Sequence, residues 1–315
     1  MSETNSSSTD ARRPRGILAP VLTPFHSDLS PDARRLARHC RWLLAHGCAA
    51  LVPFGTTSEA NSLSVEERES LLDAILEDGV PAGRLLPGTG ACSLTDAVRL
   101  TTQAVRRGCA GALMLPPFYY KAVSEDGLFR FFAEAIERVG DARLQLYLYH
   151  FPQIAQVGFS PKLVERIFHE YPRTVVGMKD SSGDLGYTKT ILGALAGSGF
   201  DVFVGSERFL LAGMRQGGAG CISATANVNA GAIDRLYQAW RSPEAERLQA
   251  ELDAVRGAVE KVPLIPALKA IMAHFAADPG WLTVRPPFVD LAAPERDALL
   301  GALATLKFAM PGLRD

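Results

Sequence analysis

A lysine at the end of an apolar run is the feature of this sequence that most strongly suggests chemistry. The run 175–178 (Val-Val-Gly-Met) leads into Lys179, and a polar turn that contains glycine follows at 180–184. A strand buried on both faces should contain no charge, so Lys179 either extends to water or is present for its nitrogen. Because desolvation disfavours the ammonium form, a buried lysine can supply a neutral amine that attacks a ketone and forms a Schiff base. The segment alone leaves two interpretations open, a nucleophile or a surface lysine at a strand end.

Polar and aromatic residues at the ends of other apolar runs could complete such a site. Thr56 and Thr57 present hydroxyl and backbone N–H groups of the kind that bind a carboxylate or a phosphate. Tyr149 could transfer protons, or it could pack with its hydroxyl bonded. Glu59 could act as a general base, but its carboxylate would repel an anionic substrate, so we interpret it as structural. Further candidates at the ends of apolar runs are Tyr120, Gly205, Glu207, Arg208 and Ile222.

The scaffold that would bring these residues together can be read from the hydrophobic pattern. Eight short apolar runs alternate with longer amphipathic segments, one of which is opened by Ser64 with Glu67 three residues later, the signature of a capping box. Eight strand–helix units predict an α/β fold, a (β/α)8 TIM barrel over residues 16–240 whose chemistry lies at the C-terminal ends of its strands. The predicted strands are 16–25, 50–54, 84–90, 111–117, 144–151, 175–179, 201–204 and 220–224.

Two regions lie outside this predicted barrel. Residues 1–15 are rich in Ser, Thr, Asn and Arg and have no apolar segment, which predicts a disordered N-terminal tail rather than a secretory signal or a membrane anchor. After Pro243 the strand-like runs stop, and helical patterns at 244–260, 265–275 and 294–307 predict a C-terminal three-helix appendage over residues 241–315.

The composition is that of an ordinary globular protein. The chain has 315 residues, a net charge of −1 and 21% charged residues, so neither a nucleic acid nor an anionic membrane is indicated as a partner. Five scattered cysteines, without a Cys-x-x-Cys motif, indicate a reducing compartment and hence a cytoplasmic protein. We find no complete set of metal ligands, and we expect neither a metal nor a cofactor.

Six short motifs occur in the order typical of one family. Together they resemble the dihydrodipicolinate synthase and N-acetylneuraminate lyase superfamily, which are class I aldolases that form a Schiff base, and the resemblance covers residues 16 to 229. Each motif alone is weak, but six in register make a strong signal. The motifs are Gly-Thr-Thr-Ser-Glu at 55–59, Gly-Thr-Gly at 88–90, Pro-Phe-Tyr-Tyr at 117–120, Tyr-His-Phe-Pro at 149–152, Gly-Met-Lys-Asp-Ser-Ser-Gly-Asp at 177–184 and Gly-Ser-Glu at 205–207.

The resemblance implies a role for each matching residue. Lys179 would condense with the ketone carbon of pyruvate or a longer 2-oxo acid, with the protonated imine acting as an electron sink. Thr56 and Thr57 would hold the carboxylate of the 2-oxo acid, and Tyr149 would transfer protons. Tyr120 matches a tyrosine that reaches the site from a neighbouring subunit, which implies a homo-dimer or homo-tetramer. Substrate contacts are further expected from Gly205, Ile222, Glu207 and Arg208.

Departures from the family pattern bear on the substrate. Dihydrodipicolinate synthases carry an arginine five residues beyond the catalytic tyrosine, and here that position is Ile154. Because isoleucine cannot pair with a carboxylate, we expect a relative that is not a genuine dihydrodipicolinate synthase. The substrate tail is expected to meet a mixed surface composed of His150, Gln153, Ile154, Gln156, Glu207 and Arg208.

The sequence thus predicts a Schiff-base lyase that acts on pyruvate or on a pyruvate-releasing 2-oxo acid, with an aldehyde as the candidate second substrate. One alternative is a dehydratase or aldolase of 2-keto-3-deoxy sugar acids, or an aldolase of 4-hydroxy-2-oxoglutarate. An alternative of another class is a barrel that binds a 2-oxo acid without turnover. The presence of Lys179, Tyr149 and Thr56 together favours an enzyme, because a binding protein would not need all three.

Overall fold

The computed structural model describes residues 13–314, which form an α/β fold around a curled parallel sheet. The sheet order is β2-β1-β7-β6-β5-β4-β3, and every neighbouring pair is parallel. The strands assigned within the described residues are β1 Gly16–Ala19, β2 Ala50–Leu51, β3 Ala112–Met114, β4 Leu146–His150, β5 Val175–Asp180, β6 Asp201–Val204 and β7 Gly220–Ile222.

Seven strands are assigned where the sequence predicts eight, and the difference lies in the run 84–90. This segment fills the gap between β2 and β3, since Leu85 bridges to Leu51 and Gly88 to Leu113. The N–H of Leu86 donates to Leu51 O at 2.8 Å, and that of Leu113 donates to Pro87 O at 2.9 Å. A proline cannot donate to a strand ladder, so the pairing is interrupted and no strand is assigned. The segment nevertheless pairs on both sides, which closes the ring.

Helices separate the strands and continue beyond them. Helix α2 begins with the predicted capping box, in which Ser64 and Glu67 each accept a backbone N–H from the other. The helices of the described residues are α1 Ala33–Ala45, α2 Val65–Glu77, α3 Leu94–Arg106, α4 Glu125–Val139, α5 Pro152–Ala155, α6 Pro161–Glu170, α7 Leu185–Ala194, α8 Leu210–Arg215, α9 Ala226–Ala239, α10 Ala245–Val259, α11 Leu264–Ala276 and α12 Ala293–Thr305. No helix of residues 13–314 has both the length and the apolar character needed to cross a membrane.

The interior of the ring is filled by side chains that point inward from the strands. Tyr147, on β4, is fully buried there and packs edge-on against Phe203 of β6 at a ring distance of 6.1 Å. Its ring lies against Gly111 and Gly177, where an added Cβ would come within 3.2 Å and 2.8 Å of it. A glycine in the middle of the lysine-bearing strand therefore makes room for a large aromatic residue in the barrel.

The C-terminal helices share a hydrophobic core with the barrel. Leu252 of α10, Leu268 of α11 and Leu303 of α12 belong to the same buried cluster as Leu43 of α1 and Ile233 of α9. These helices consequently pack on one side of the ring, where their connecting segments can reach its C-terminal end.

The predicted N-terminal tail is only partly covered by the structure. Residues 1–12 lie outside the described residues. Arg13 donates to Val176 O at 2.9 Å and to Gly199 O at 2.7 Å, and both Arg13 and Arg15 form ion pairs with the buried Asp201. Residues 13–15, which the sequence assigns to the tail, therefore contact the barrel.

Candidate active site

The register of β4 and β5 places Lys179 beside Tyr149. Tyr149 pairs directly with Lys179, just as Tyr147 pairs with Gly177 two residues earlier. Side chains alternate along a strand, so Tyr147 and Tyr149 point to the same face, into the ring. Lys179 is only 5% exposed and Tyr149 only 2%. The lysine predicted from the sequence is therefore buried at the C-terminal end of a barrel strand and does not extend to water.

The side chains of Lys179, Tyr149 and Thr56 form a short polar chain. Lys179 Nζ donates to the Tyr149 hydroxyl at 3.1 Å and lies 4.2 Å from the centre of the tyrosine ring. The same hydroxyl lies 3.4 Å from Thr56 Oγ1, a long hydrogen bond. Phe151 stacks on Tyr149 with 5.8 Å between the ring centres and so fixes the orientation of the ring. One hydroxyl is thus in contact with both an amine and a second hydroxyl, an arrangement that can relay a proton.

The buried side chain of Ser58 fixes the turn that carries Thr56 and Thr57. Ser58 Oγ donates to Val21 O and accepts the N–H of Gly55. Its side chain is fully buried in these contacts and does not line the cavity.

Glu59 ties this turn to the C-terminal region. It has left-handed backbone geometry (φ 56°), accepts the N–H of Arg285 at 2.9 Å and forms an ion pair with Lys269 of α11. Both side chains of the pair are fully buried, and burial lowers the pKa of Lys269 to about 8. These contacts agree with our interpretation of Glu59 as a structural residue.

Asp180 supports the end of β5 directly after Lys179. Its carboxylate accepts the hydroxyl of Thr188 at 2.6 Å and the N–H of Ser182 at 2.9 Å. The start of α7 and the turn after β5 are therefore fixed to the residue next to the lysine.

A cavity of about 310 Å³ opens from Lys179 toward the C-terminal helices. Its inner end is polar, and its outer end is formed mainly by apolar residues. The inner end is lined by Thr56, Thr57, Tyr149, Lys179, Ser181 and Gly205. Residues at the outer end include Ile154, Phe209, Leu264, Ile265, Pro266 and Phe288.

Gly205, another candidate, lies so close to Ser181 that only glycine fits at this position. A Cβ on Gly205 would lie 2.1 Å from Ser181 Oγ, so any side chain would displace the turn that follows Lys179. The structure therefore brings five candidates around one cavity: Lys179, Tyr149, Thr56, Thr57 and Gly205.

Three candidates lie elsewhere. Ile222 is fully buried in the ring interior. Glu207 is also fully buried, and its carboxylate accepts from Ser223 and Thr225 and contacts Arg256 at 3.3 Å. Arg208 is exposed and pairs with Glu260 at 2.9 Å. None of the three lines the cavity, because the short helical turn after β6 directs Phe209 into it instead.

Tyr120 lies at the surface of this single chain. It is 73% exposed, as is Tyr119, and the two rings meet edge-on at 5.3 Å. Tyr120 does not line the cavity.

The mixed surface predicted for the substrate tail is not what the structure shows. Of its six residues only Ile154 lines the cavity. Nδ1 of His150 accepts the N–H of Phe159 at 3.0 Å, and burial lowers the pKa of the ring. Gln153 is exposed and donates to Ser182 O. Phe209, Arg256, residues 263–266 and Phe288 also line the cavity but were not among the predicted site residues. Phe209 lies in the turn that follows β6, and the others come from the C-terminal region, beyond the barrel strands.

The sequence is similar to that of a known protein family. The profile of the Dihydrodipicolinate synthetase family matches residues 13–306. An uncharacterised DapA-like lyase from Chloroflexus aurantiacus is 32% identical over 294 residues, which cover 92% of this chain and 96% of that protein. A 4-hydroxy-tetrahydrodipicolinate synthase from Thermus thermophilus is 35% identical over 213 residues, or 68% of this chain and 69% of that protein.

A solved structure extends the likeness to three dimensions. Dihydrodipicolinate synthase from Agrobacterium tumefaciens has a TM-score of 0.83 and 31% identity, and the alignment covers 92% of this chain and 99% of that one. The family profile spans nearly the whole chain, and the Agrobacterium enzyme resembles the chain in both sequence and fold. The chain therefore belongs to the dihydrodipicolinate synthetase family and is a lyase of the class I aldolase type.

Proposed function

We propose that this lyase forms a Schiff base between Lys179 and pyruvate or a pyruvate-releasing 2-oxo acid, and that it makes or breaks a carbon–carbon bond through the resulting enamine. The observation that carries the proposal is the buried contact of 3.1 Å between Lys179 Nζ and the Tyr149 hydroxyl at the inner end of a cavity. A lysine that served only to solubilise a strand end would be exposed.

The contacts suggest how the steps are divided among the residues. Nζ attacks the ketone carbon of the 2-oxo acid, and Tyr149 transfers the protons needed to form the carbinolamine and to release water. The hydroxyl of Thr56 lies 3.4 Å from that of Tyr149, so it can pass a proton onward or hold a substrate oxygen. Thr57 lies beside it on the cavity wall and can bind the carboxylate.

A solved relative supports pyruvate as the 2-oxo acid. YagE, a prophage protein from E. coli that belongs to the dihydrodipicolinic acid synthase family, was crystallised in complex with pyruvate. It has a TM-score of 0.86 and 26% identity over 94% of this chain and 99% of that one. The binding of pyruvate is a property of YagE, and its extension to this chain is part of the proposal.

We infer that the reaction is not that of a genuine dihydrodipicolinate synthase. Ile154 lines the cavity and is 60% exposed, so the position at which synthases carry an arginine faces the substrate with an apolar side chain. An amino-acid semialdehyde would meet no cation there to pair with its carboxylate.

The exposed pair Tyr119 and Tyr120 suggests an interface. Two neighbouring aromatic rings, each 73% exposed, are typical of surfaces that bind another protein. This position is consistent with Tyr120 reaching the site of a second copy in a dimer or tetramer. The cytoplasmic location stays a prediction.

Reductive trapping tests the Schiff base directly. The full chain would be incubated with pyruvate and borohydride, and the adduct located by intact mass and peptide mapping. We expect one adduct on Lys179, none in Lys179→Ala, and an unchanged yield in Lys189→Ala, which removes an exposed lysine of α7 as a control. Absence of an adduct in the unaltered protein would refute the Schiff base and favour a barrel that binds 2-oxo acids without turnover.

A further inference from the structure

The outer end of the cavity has apolar walls that come from several parts of the chain. Ile154 follows β4, Phe209 follows β6, and Leu264 and Ile265 begin α11. Phe288 closes the rim and is 37% exposed. Whatever is attached to the pyruvate unit at Lys179 must therefore lie against these side chains.

Arg256 is the cation at this end, and its charge is already compensated. Its Nε donates to Glu260 at 2.6 Å, and its Nη1 lies 3.3 Å from both Glu207 and Ser223. Arg208 pairs with the same Glu260. Two arginines and two glutamates therefore neutralise one another.

Apart from Arg256 and Lys179, the charged residue that lines the cavity is Asp180, whose carboxylate is bonded to Thr188 and Ser182. Among the described residues that line the outer end, no cation without an acidic partner is available to a carboxylate. Burying an unpaired carboxylate or several hydroxyl groups against apolar walls is unfavourable, whereas burying apolar surface there is favourable.

We propose that the bond partner of pyruvate is an uncharged aldehyde with an apolar substituent, either an aryl or a branched alkyl group. This inference rests on the proposed Schiff-base function and specifies the second substrate of the same site. Ile154, Phe209 and Phe288 select the substituent. Arg256 lines the cavity but does not bind an anion, because Glu207 and Glu260 already neutralise its charge.

The reaction balances without any further reagent. The enamine carbon derived from the pyruvate methyl group attacks the aldehyde carbon and forms a carbon–carbon bond. The aldehyde oxygen takes up one proton, and water hydrolyses the imine and frees the Lys179 amine. The product is a 4-hydroxy-2-oxo acid with the apolar group on C4, and the reverse sequence cleaves the same bond.

A panel of aldehydes tests the inference with the full chain and pyruvate. Benzaldehyde and 3-methylbutanal represent apolar partners, glyoxylate and aspartate semialdehyde represent charged ones, and glyceraldehyde represents a polyol. Mass spectrometry of the aldol products, in open or cyclised form, gives kcat/KM for each aldehyde. We expect kcat/KM for an apolar aldehyde to be at least about tenfold higher than kcat/KM for the charged aldehydes or for glyceraldehyde. Equal or higher values for a charged aldehyde or for glyceraldehyde would overturn the inference.

Three variants test whether the preference among aldehydes comes from the cavity wall or from the chemical reactivity of the aldehydes themselves. Phe288→Ala is expected to lower the ratio of kcat/KM for the apolar aldehyde to kcat/KM for glyoxylate about tenfold. Val289→Ala is the matched control, because Val289 is 74% exposed and does not line the cavity. Ile154→Arg is expected to shift the preference toward glyoxylate. Equal effects of Phe288→Ala on both aldehydes would contradict the inference.

Borohydride trapping distinguishes the formation of the Schiff base from the choice of the second substrate. A pyruvate adduct on Lys179, combined with no product from apolar aldehydes, would refute the inference about the partner and leave the proposed function intact. Failure to trap pyruvate would refute both. The trapping rate should be the same in Val289→Ala as in the unaltered protein, since Val289 does not line the cavity.

Discussion

Removal of the Tyr149 hydroxyl tests the proton relay most directly. In Tyr149→Phe, Lys179 Nζ loses its partner at 3.1 Å and Thr56 loses its partner at 3.4 Å, while the ring and its stacking on Phe151 remain. A positioned acid–base group contributes roughly 10² to 10⁴ in rate, which corresponds to about 3 to 5 kcal/mol in the activation free energy. We expect the free energy of unfolding to change by only about 1 kcal/mol.

The assay needs no knowledge of the second substrate. Formation of the enamine removes a proton from the methyl group of pyruvate, so the enzyme should exchange that group with deuterium in D₂O, which proton NMR records. Tyr149→Phe is expected to slow this exchange at least about a hundredfold.

Tyr147→Phe is the matched control, on the same strand and the same inward face. The Tyr147 hydroxyl is buried without a hydrogen-bond partner among the described residues, and burial raises its pKa. Removing it should leave exchange unchanged and raise the free energy of unfolding by about 1 kcal/mol, because an unsatisfied polar group is lost. Exchange by Tyr149→Phe within threefold of the unaltered protein, or equal losses in both variants, would refute the relay.

Three further changes have defined outcomes. Thr57→Val should raise KM for pyruvate about tenfold with little change in kcat, since Thr57 lines the cavity and would bind the carboxylate in ground and transition states alike; a fall in kcat alone would contradict this. Glu59→Gln should cost about 3 to 5 kcal/mol in denaturant unfolding by leaving the buried Lys269 unpaired, and adding Lys269→Met should restore most of it. Burial lowers the pKa of His39 from 6.5 to about 4, so the folded state binds this proton less readily than the unfolded chain. The contribution of His39 to the free energy of unfolding is therefore complete above pH 6.5 and decreases as the pH drops toward 4, by about 2 kcal/mol at pH 5. His39→Phe should reduce this pH dependence in guanidinium titrations at pH 7 and pH 5.

The inner end of the site was predictable because strand ends converge. Parallel strands of a closed ring bring their C-terminal ends to one face, so polar residues at the ends of separate apolar runs must lie near one another. Lys179, Tyr149 and Thr56 follow this rule. The rule also holds for the run 84–90, which lies in the ring although Pro87 prevents its assignment as a strand.

The orientation of residues beyond a strand end could not be predicted in the same way. Glu207 and Phe209 are two residues apart in one short turn, yet the acid turns inward to Ser223 and Thr225 while the ring lines the cavity. Two hydroxyls spaced two residues apart after β7 were a signal that a carboxylate lies nearby. The outer wall depends on how α10 and α11 pack against the barrel, and no local pattern encodes that packing.

The site therefore combines two kinds of structure that can change independently. Strand pairing fixes Lys179 and Tyr149, and a hydrogen-bonded turn carries Thr56. The outer wall comes mostly from loops and from the start of α11, where a substitution such as Phe288→Ala disturbs no strand pairing. Changes in the outer wall should consequently alter which aldehyde reacts without altering the formation of the Schiff base. A chain that kept Lys179 and Tyr149 but replaced Ile154 and Phe288 with charged residues would be expected to retain exchange of pyruvate protons and to accept a different partner.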